Sequence, residues 1–148
     1  MTIFFDMDGT ISNLYAYPNW LPLLQAQDAL PYAEAAVMHN MSRLAYYLNK
    51  LRAAGYAIGI ISWLSKTSSP DYDCAVTAAK LDWLHRHLPS VVWDDINIVE
   101  YGMCKADFMT SDNDILFDDE ERNRNEWRGI AYEPNQIFDV LKSLLTEA

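Results

Sequence analysis

Two pairs of aspartates are the residues of this sequence best suited to chemistry. Asp6 and Asp8 follow one short apolar run, and Asp118 and Asp119 follow another. Carboxylate oxygens with open coordination positions suit Mg²⁺, which keeps waters and also binds substrate phosphate. One carboxylate can attack phosphorus to form an aspartyl phosphate, while a second moves protons to the leaving oxygen and from water. The two pairs therefore predict a metal-assisted phosphoryl-transfer site.

A hydroxyl and an ammonium group complete this predicted site. Ser62 follows a third apolar run, and Lys105 lies just after a fourth. Both groups can hold phosphate oxygens. Lys66 is the alternative to Lys105, although a phosphate ligand must emerge at the edge of the site, which favours Lys105. A serine after a strand is also common in ordinary turns, so Ser62 alone is a weak signal.

These residues need a parallel sheet to bring them together. Short apolar runs alternate with helical patterns along the chain, which indicates βα units. The predicted strands are 3–5, 57–61, 96–99, 115–117 and 130–132, and helical stripes lie within 41–51, 74–88, 120–128 and 137–145. The runs are almost continuously apolar, which predicts burial on both faces. Parallel strands end at one edge, where open α/β folds bind ligands, and we expect strand one between strands two and four.

The segment between the first strand and the first long helix is unusual. Residues 14–31 are rich in aromatic side chains and too short for an independent domain. We expect a flap with a small helical insert, longer than a plain βα connection. Tyr15, Trp20 and, beside Ser62, Trp63 are candidate pocket residues, with simple packing as the equally open alternative.

Composition limits the classes of function. Half of the 148 residues are apolar and the net charge is −10, with no run of Lys or Arg, which disfavours duplex nucleic acid as a partner. No secretory signal or stretch of ~20 apolar residues is visible, so we expect no membrane partner. Cys74 and Cys104 have no metal-ligand spacing, and free thiols are typical of the cytoplasm. We expect one domain over residues 1–148; the oligomeric state is open.

The remaining polar residues have structural explanations. Asp94 and Asp95 precede a strand and so face the opposite edge of the sheet. Asp112 and Asp114 are expected in a loop before the fourth strand. The three histidines match no ligand spacing and are expected on helix surfaces or as satisfied groups.

The chemical residues occur in the order of a known family. Four segments resemble the motifs of the haloacid dehalogenase superfamily: Phe4-Phe5-Asp6-Met7-Asp8-Gly9-Thr10 its DxDGT motif, Ile60-Ile61-Ser62 its second, Lys105 its third and Phe117-Asp118-Asp119 its fourth. The resemblance extends roughly from residue 3 to 132. It implies a three-layer, Rossmann-like α/β fold with a central parallel sheet and a rudimentary helical cap.

The resemblance also implies roles. Asp6 is the expected nucleophile and a Mg²⁺ ligand, and Asp8 is the general acid/base that gives the metal its backbone carbonyl. Asp118 is expected to bind Mg²⁺ directly and Asp119 through water. The expected phosphate-binding residues are Ser62, Lys105, Gly9 and Thr10, and Gly9 permits the tight turn that aims both acids inward.

The substrate is less determined than the reaction. Ser62-Trp63-Leu64-Ser65 followed by a polar loop and a helix is similar to the small 5'(3')-deoxyribonucleotidases, although their insert after the first motif is longer. An aromatic side chain near the flap could stack on a nucleobase, so a (deoxy)nucleoside monophosphate is the first expectation. Another small phosphomonoester remains open. A non-enzymatic phosphate-binding module is disfavoured by the intact acids, and a phospho-accepting receiver domain by an acidic motif that opens the chain.

Overall fold

A five-stranded parallel sheet forms the centre of the molecule in this computed structural model, which describes residues 1–147. Its strands are β1 (Thr2–Phe5), β2 (Ala57–Trp63), β3 (Asp95–Val99), β4 (Ile115–Phe117) and β5 (Ile130–Tyr132). All four pairings are parallel, in the order β3-β2-β1-β4-β5. The predicted fold class is therefore confirmed, and β1 lies between β2 and β4 as expected.

Helices cover both faces of the sheet. They are α1 (Trp20–Gln25), α2 (Leu30–Glu34), α3 (Met41–Ala53), α4 (Pro70–His87), α5 (Glu121–Glu126) and α6 (Ile137–Glu147), with 3-10 turns at Leu14–Ala16, Lys105–Phe108 and Pro134–Gln136. Alternate residues of the strands point to opposite faces. Ile3 and Phe5 pack in a cluster with α3, α4 and α6, whereas Phe4 packs with Trp127 and the turn that contains Lys105.

Burial of the strands follows their position in the sheet. All residues of β1 and β4, and all of β2 except its first, are buried. The two edge strands, β3 and β5, are largely half-exposed, with Ile96 39% and Ile130 55% exposed. The expectation of burial on both faces is thus wrong for β3 and β5, because an edge strand has no neighbour on one side.

Local sequence explains where the long helices begin. The Ser69 side chain accepts a hydrogen bond from the Tyr72 backbone N–H, and Pro70 occupies the first turn of α4. Asn40 caps α3 through the Arg43 N–H in the same way. Helix α5 is shorter than the predicted 120–128 stripe. Among the described residues, none of the helices combines the length and apolar character needed to cross a bilayer.

The insert between β1 and α3 closes on itself. Its turn and two short helices run from Leu14 to Glu34, slightly beyond the predicted 14–31. Ser12 and Val37 form an antiparallel bridge, flanked by backbone hydrogen bonds from Asn13 N–H to Ala36 O and from Met38 N–H to Ile11 O. We call these paired residues, 11–13 and 36–38, the neck of the insert. The neck holds the two ends of the insert together at the carboxyl edge of β1.

Candidate active site

Three carboxylates meet where β1 and β4 end. Asp6 follows β1, Asp118 and Asp119 follow β4, and these strands are direct neighbours with Phe5 opposite Phe117. One oxygen from each of the three carboxylates lies within 4.8 Å of the others. Asp6 and Asp118 are buried, whereas Asp119 is half-buried. Parallel pairing thus brings together acids that stand more than a hundred residues apart in the sequence.

The ammonium group of Lys105 bonds to two of these three carboxylates. Its Nζ donates to Asp6 Oδ1 at 2.9 Å and to Asp118 Oδ2 at 2.7 Å, and the residue is only 2% exposed. An ammonium group has three donors, so one N–H remains for a ligand. The other candidate lysine, Lys66, is exposed at the rim of the same cavity. The structure therefore places Lys105, not Lys66, beside the acid cluster.

The crowding of these groups changes their proton affinities. Burial and the Asp6 charge raise the pKa of Asp118, although Lys105 opposes the rise. Burial, followed by the proximity of Asp6, raises the pKa of Asp119 to about 8. Burial lowers the pKa of Lys105, but the charges of Asp6 and Asp118 outweigh it and the net shift is upward. One ammonium cannot balance three carboxylates, so two negative charges remain uncompensated when all are ionised.

The side-chain oxygen of a buried asparagine beside the cluster has no hydrogen-bond partner within residues 1–147. Asn123, on α5, is 2% exposed and donates from Nδ2 to Asp118 Oδ2 at 3.1 Å. Its Oδ1 is buried and has no hydrogen-bond partner within residues 1–147. An unsatisfied buried acceptor costs about 1–3 kcal/mol, and a cation or a water held by a cation would satisfy it. The uncompensated charge and this oxygen both fit a hard divalent cation.

Asp8 stands apart from the three clustered acids and pairs with a different lysine. Its Oδ2 accepts a hydrogen bond from Lys80 Nζ at 2.9 Å, and its side chain is 15% exposed. Lys80, on α4, is fully buried and also donates to Ser62 Oγ at 2.6 Å and to Trp63 O at 2.7 Å. Burial raises the pKa of Asp8, and Asp6 adds to the rise, while Lys80 opposes it.

The loop after β1 is built around Gly9. Its φ is +80°, and a Cβ there would lie 2.3 Å from Asp119 Oδ2 and 2.8 Å from the Tyr15 ring, so only glycine fits. The Gly9 N–H donates to Ser12 O, and the Thr10 N–H donates to Met7 O. Thr10 Oγ1 donates to Asp6 Oδ2 at 3.0 Å, which fixes the orientation of that carboxylate.

A cavity of about 250 Å³ opens above these residues. Asp6, Asp8, Lys105, Asp118, Asp119 and Asn123 lie along it, and all three predicted pocket residues, Tyr15, Trp20 and Trp63, line it. Tyr15 and Trp20 meet edge to face at 4.9 Å, and the Trp63 and Tyr101 rings lie 5.1 Å apart. Aromatic side chains from the insert and from the ends of β2 and β3 thus form its walls.

The four predicted phosphate-binding residues differ in position. Within the described chain, Lys105 lines the cavity, whereas Ser62, Gly9 and Thr10 are not among its lining residues. Ser62 lies inside β2 rather than after it and is fully buried next to Lys80. Phosphate binding by these three residues stays a prediction; in the structure Thr10 bonds to Asp6, Ser62 shares Lys80 with Asp8, and Gly9 bonds to Ser12 within the loop.

Residues set aside in the sequence have structural contacts. Asp94 binds Arg52 and the Ile58 N–H at the opposite edge of the sheet, as expected from its place before β3. Asp114 precedes β4, but it is fully buried and accepts the backbone N–H groups of Thr2 and Thr110, so it anchors that edge. Both cysteines are free thiols.

Three residues of the site were not predicted from the sequence. Lys80 falls three and four residues from the core positions Val76, Trp83 and Leu84 of α4, so a lysine within an apolar stripe was an available signal. Asn123 lies in α5, five residues after Asp118, and Tyr101 follows β3 at the carboxyl edge. Neither position carries a pattern that distinguishes it from an ordinary surface residue.

Comparison with known proteins gives a structural likeness. No protein-family model and no curated protein sequence matches the chain. A D,D-heptose 1,7-bisphosphate phosphatase from Burkholderia thailandensis superposes with a TM-score of 0.51 and 19% sequence identity, over 84% of this chain and 69% of the other. At this identity the likeness shows a common α/β, Rossmann-like fold and no more, and the neighbour with that fold is named as a phosphatase.

Proposed function

We propose that this protein is a Mg²⁺-dependent phosphomonoester hydrolase that works through an aspartyl-phosphate intermediate. The observation that carries the proposal is the meeting of Asp6, Asp118 and Asp119 within 4.8 Å, with Lys105 bonded to two of them. This cluster and Asp8 line one cavity. The likeness to a phosphatase fold supports the same reading, as do the four sequence motifs.

Asp6 and Asp8 would divide the reaction between them. An Asp6 carboxylate oxygen attacks phosphorus; the new O–P bond forms as the bond from phosphorus to the leaving oxygen breaks, and Asp8 protonates that oxygen. In the second step water attacks phosphorus and gives its proton to Asp8. The aspartyl O–P bond then breaks, and inorganic phosphate and the Asp6 carboxylate are released. The upward-shifted pKa of Asp8 favours its role as proton carrier.

The other residues of the site would orient the attacking carboxylate and balance the charge of the phosphoryl group. Thr10 and Lys105 each hold one oxygen of Asp6, which fixes the attacking carboxylate. The remaining N–H of Lys105 is available to a phosphoryl oxygen. Asp6, Asp118, Asp119 and the Asp8 backbone carbonyl are the groups that would hold Mg²⁺. The metal, when bound, would supply positive charge that stabilises the phosphoryl oxygens in the transition state.

We further propose a (deoxy)nucleoside monophosphate as substrate. The cavity has aromatic walls, and a base can stack on such side chains at a gain of about 1–3 kcal/mol. Tyr15 and Trp20 of the insert line the cavity and would contact the leaving group of such a substrate. Other small phosphomonoesters are the second candidate, since the structural neighbour is a phosphatase named for a heptose bisphosphate.

Substitution of the nucleophile tests the proposal. Wild-type protein in Mg²⁺ should release phosphate from at least one member of a panel of nucleotides, sugar phosphates and 4-nitrophenyl phosphate, and excess chelator should stop it. Asp6→Asn should abolish turnover. It should also form no phosphoenzyme, whereas the wild type should yield one that is stable in acid and labile in base. Asp112→Asn, in an exposed loop, is the matched control. Turnover by Asp6→Asn at the wild-type rate would show that Asp6 is not the nucleophile.

A further inference from the structure

Lys80 is a buried lysine whose three donors are all occupied. Its Nζ donates to Asp8 Oδ2 at 2.9 Å, Ser62 Oγ at 2.6 Å and Trp63 O at 2.7 Å. The residue is 0% exposed, and the Tyr32 ring of the insert lies 4.9 Å from the ammonium. Since an ammonium group has three N–H donors, none remains to bind a substrate.

This full occupancy separates Lys80 from Lys105. Lys105 makes two such bonds and lines the cavity, so it retains one donor for a ligand. Lys80 is not among the lining residues of the described chain; of the three residues it bonds to, Asp8 and Trp63 line the cavity and Ser62 is buried beside it. We propose that Lys80 is a positioning residue that holds the proton-transfer carboxylate Asp8 and the hydroxyl of Ser62 in fixed orientations; this inference rests on the proposed phosphatase function.

The hydrogen-bond directions define what Lys80 positions. Because Lys80 binds Asp8 Oδ2, Oδ1 is the oxygen left for the proton that passes to the leaving group. Because Ser62 Oγ accepts from Lys80, its own O–H must point away from the ammonium. In the proposed reaction this proton would be the one offered to a phosphoryl oxygen, although Ser62 itself is fully buried. The third bond, to Trp63 O, fixes the ammonium relative to the end of β2.

The location of Lys80 explains how one residue reaches both motifs. It projects from the middle of α4, the helix that follows β2, toward the loop after β1. Asp8 follows β1, and Ser62 lies in the neighbouring strand β2. The buried ammonium of Lys80 bonds to both side chains and so fixes the position of one relative to the other. The Tyr32 ring covers it from the insert side, which keeps bulk water from competing for the three acceptors.

A double-mutant cycle tests the effect on Asp8. Lys80→Met should lower kcat about 10²-fold on an alkyl phosphomonoester, within the range for lost general acid–base catalysis. It should lower kcat less than about 10-fold on 4-nitrophenyl phosphate, whose leaving group needs no proton. In an Asp8→Asn background the same substitution should cost less than about threefold, because coupled residues are not additive. Lys142→Met, on the exposed side of α6, is the matched control.

Equal losses on the two esters, or losses that multiply in the double variant, would overturn the inference and make Lys80 a structural residue. Thermal unfolding of each variant shows whether it is folded. If Lys80→Met alone does not fold, the Asp8→Asn/Lys80→Met double variant, which leaves no unpaired carboxylate, is compared with Asp8→Asn. The two should then have the same kcat on both esters, and a further loss in the double variant contradicts the inference.

A second double-mutant cycle, of Lys80 with Ser62, measures phosphate binding and does not depend on turnover. Calorimetric titration with inorganic phosphate in Mg²⁺ should give affinities roughly fivefold weaker for Lys80→Met and for Ser62→Ala, as for loss of one hydrogen bond. The double variant should be no weaker than either single variant; independent, multiplying losses overturn the inference. Phosphate binding without hydrolysis of any ester would refute the proposed function alone. Hydrolysis with additive cycles would refute the role of Lys80 alone, and neither binding nor hydrolysis would refute both.

Discussion

Removal of the Lys105 ammonium should destabilise the metal-free protein strongly. Lys105→Met keeps most of the side-chain volume but leaves Asp6 and Asp118, 6% and 0% exposed, without their shared counter-ion. Removing one partner of a buried ion pair typically costs about 3–5 kcal/mol. A domain of this size has a free energy of unfolding of roughly 5–15 kcal/mol. We therefore expect Lys105→Met to lose about a fifth or more of the free energy of unfolding in the absence of metal.

Urea unfolding in excess chelator measures this loss. The fluorescence of the five tryptophans, of which Trp63, Trp83 and Trp127 are buried, reports the transition. Lys142→Met is the control for loss of an exposed lysine. Adding Mg²⁺ at a hundredfold excess over its dissociation constant should return about 2.7 kcal/mol, because the cation replaces the lost positive charge. A loss below ~1 kcal/mol, or further destabilisation by Mg²⁺, would refute the ion-pair reasoning.

Three further predictions follow from the site. Asp8→Asn should slow hydrolysis of an alkyl phosphomonoester by about 10²–10⁴-fold but that of 4-nitrophenyl phosphate much less, and rapid-quench trapping should detect accumulated aspartyl phosphate. The pKa of Asp119 is raised from 3.8 to about 8 in the folded state. The protonated side chain therefore stabilises the fold fully below pH ~4, and this stabilisation is lost as pH rises through about 8. In excess chelator, the free energy of unfolding of the wild type should fall over this pH range, and Asp119→Asn should remove that fall. Tyr15→Ala/Trp20→Ala should lower kcat/KM for a nucleoside monophosphate at least ~10-fold, consistent with lost stacking, with a loss below ~threefold on 4-nitrophenyl phosphate; equal losses would assign these rings to packing alone.

The sheet and its acidic edge were predictable because they depend on local patterns and a general rule. Each apolar run ends in a polar residue, and parallel connection places those ends together. The order of the strands and the approach of Asp6 to Asp118 follow from this rule and the family motifs. The limits of the insert and of α5 were less predictable, since helix ends depend on caps and on tertiary contacts.

The network around Asp8 could not be derived in the same way. Its bond to Lys80 joins residues 72 positions apart and depends on which face of α4 packs against β2. Helical spacing indicates that Lys80 faces inward, but no periodicity indicates which carboxylate it meets. The full burial of Ser62 in β2 and the lack of a partner for Asn123 Oδ1 within residues 1–147 likewise depend on packing, which single-residue patterns do not predict.

The neck of the insert has a consequence for how this fold can change over evolution. Residues 11–13 and 36–38 are paired with each other, so the distance between the two ends of the insert is fixed regardless of what lies between them. For a flexible loop with fixed ends, each doubling of its length costs only about 0.6 kcal/mol in closure entropy. Insert residues that contact neither the loop after β1 nor α4 can therefore change in number without moving the ends of the loop that carries Asp6 and Asp8. The neck thus separates the length of the insert from the position of the loop that carries Asp6 and Asp8.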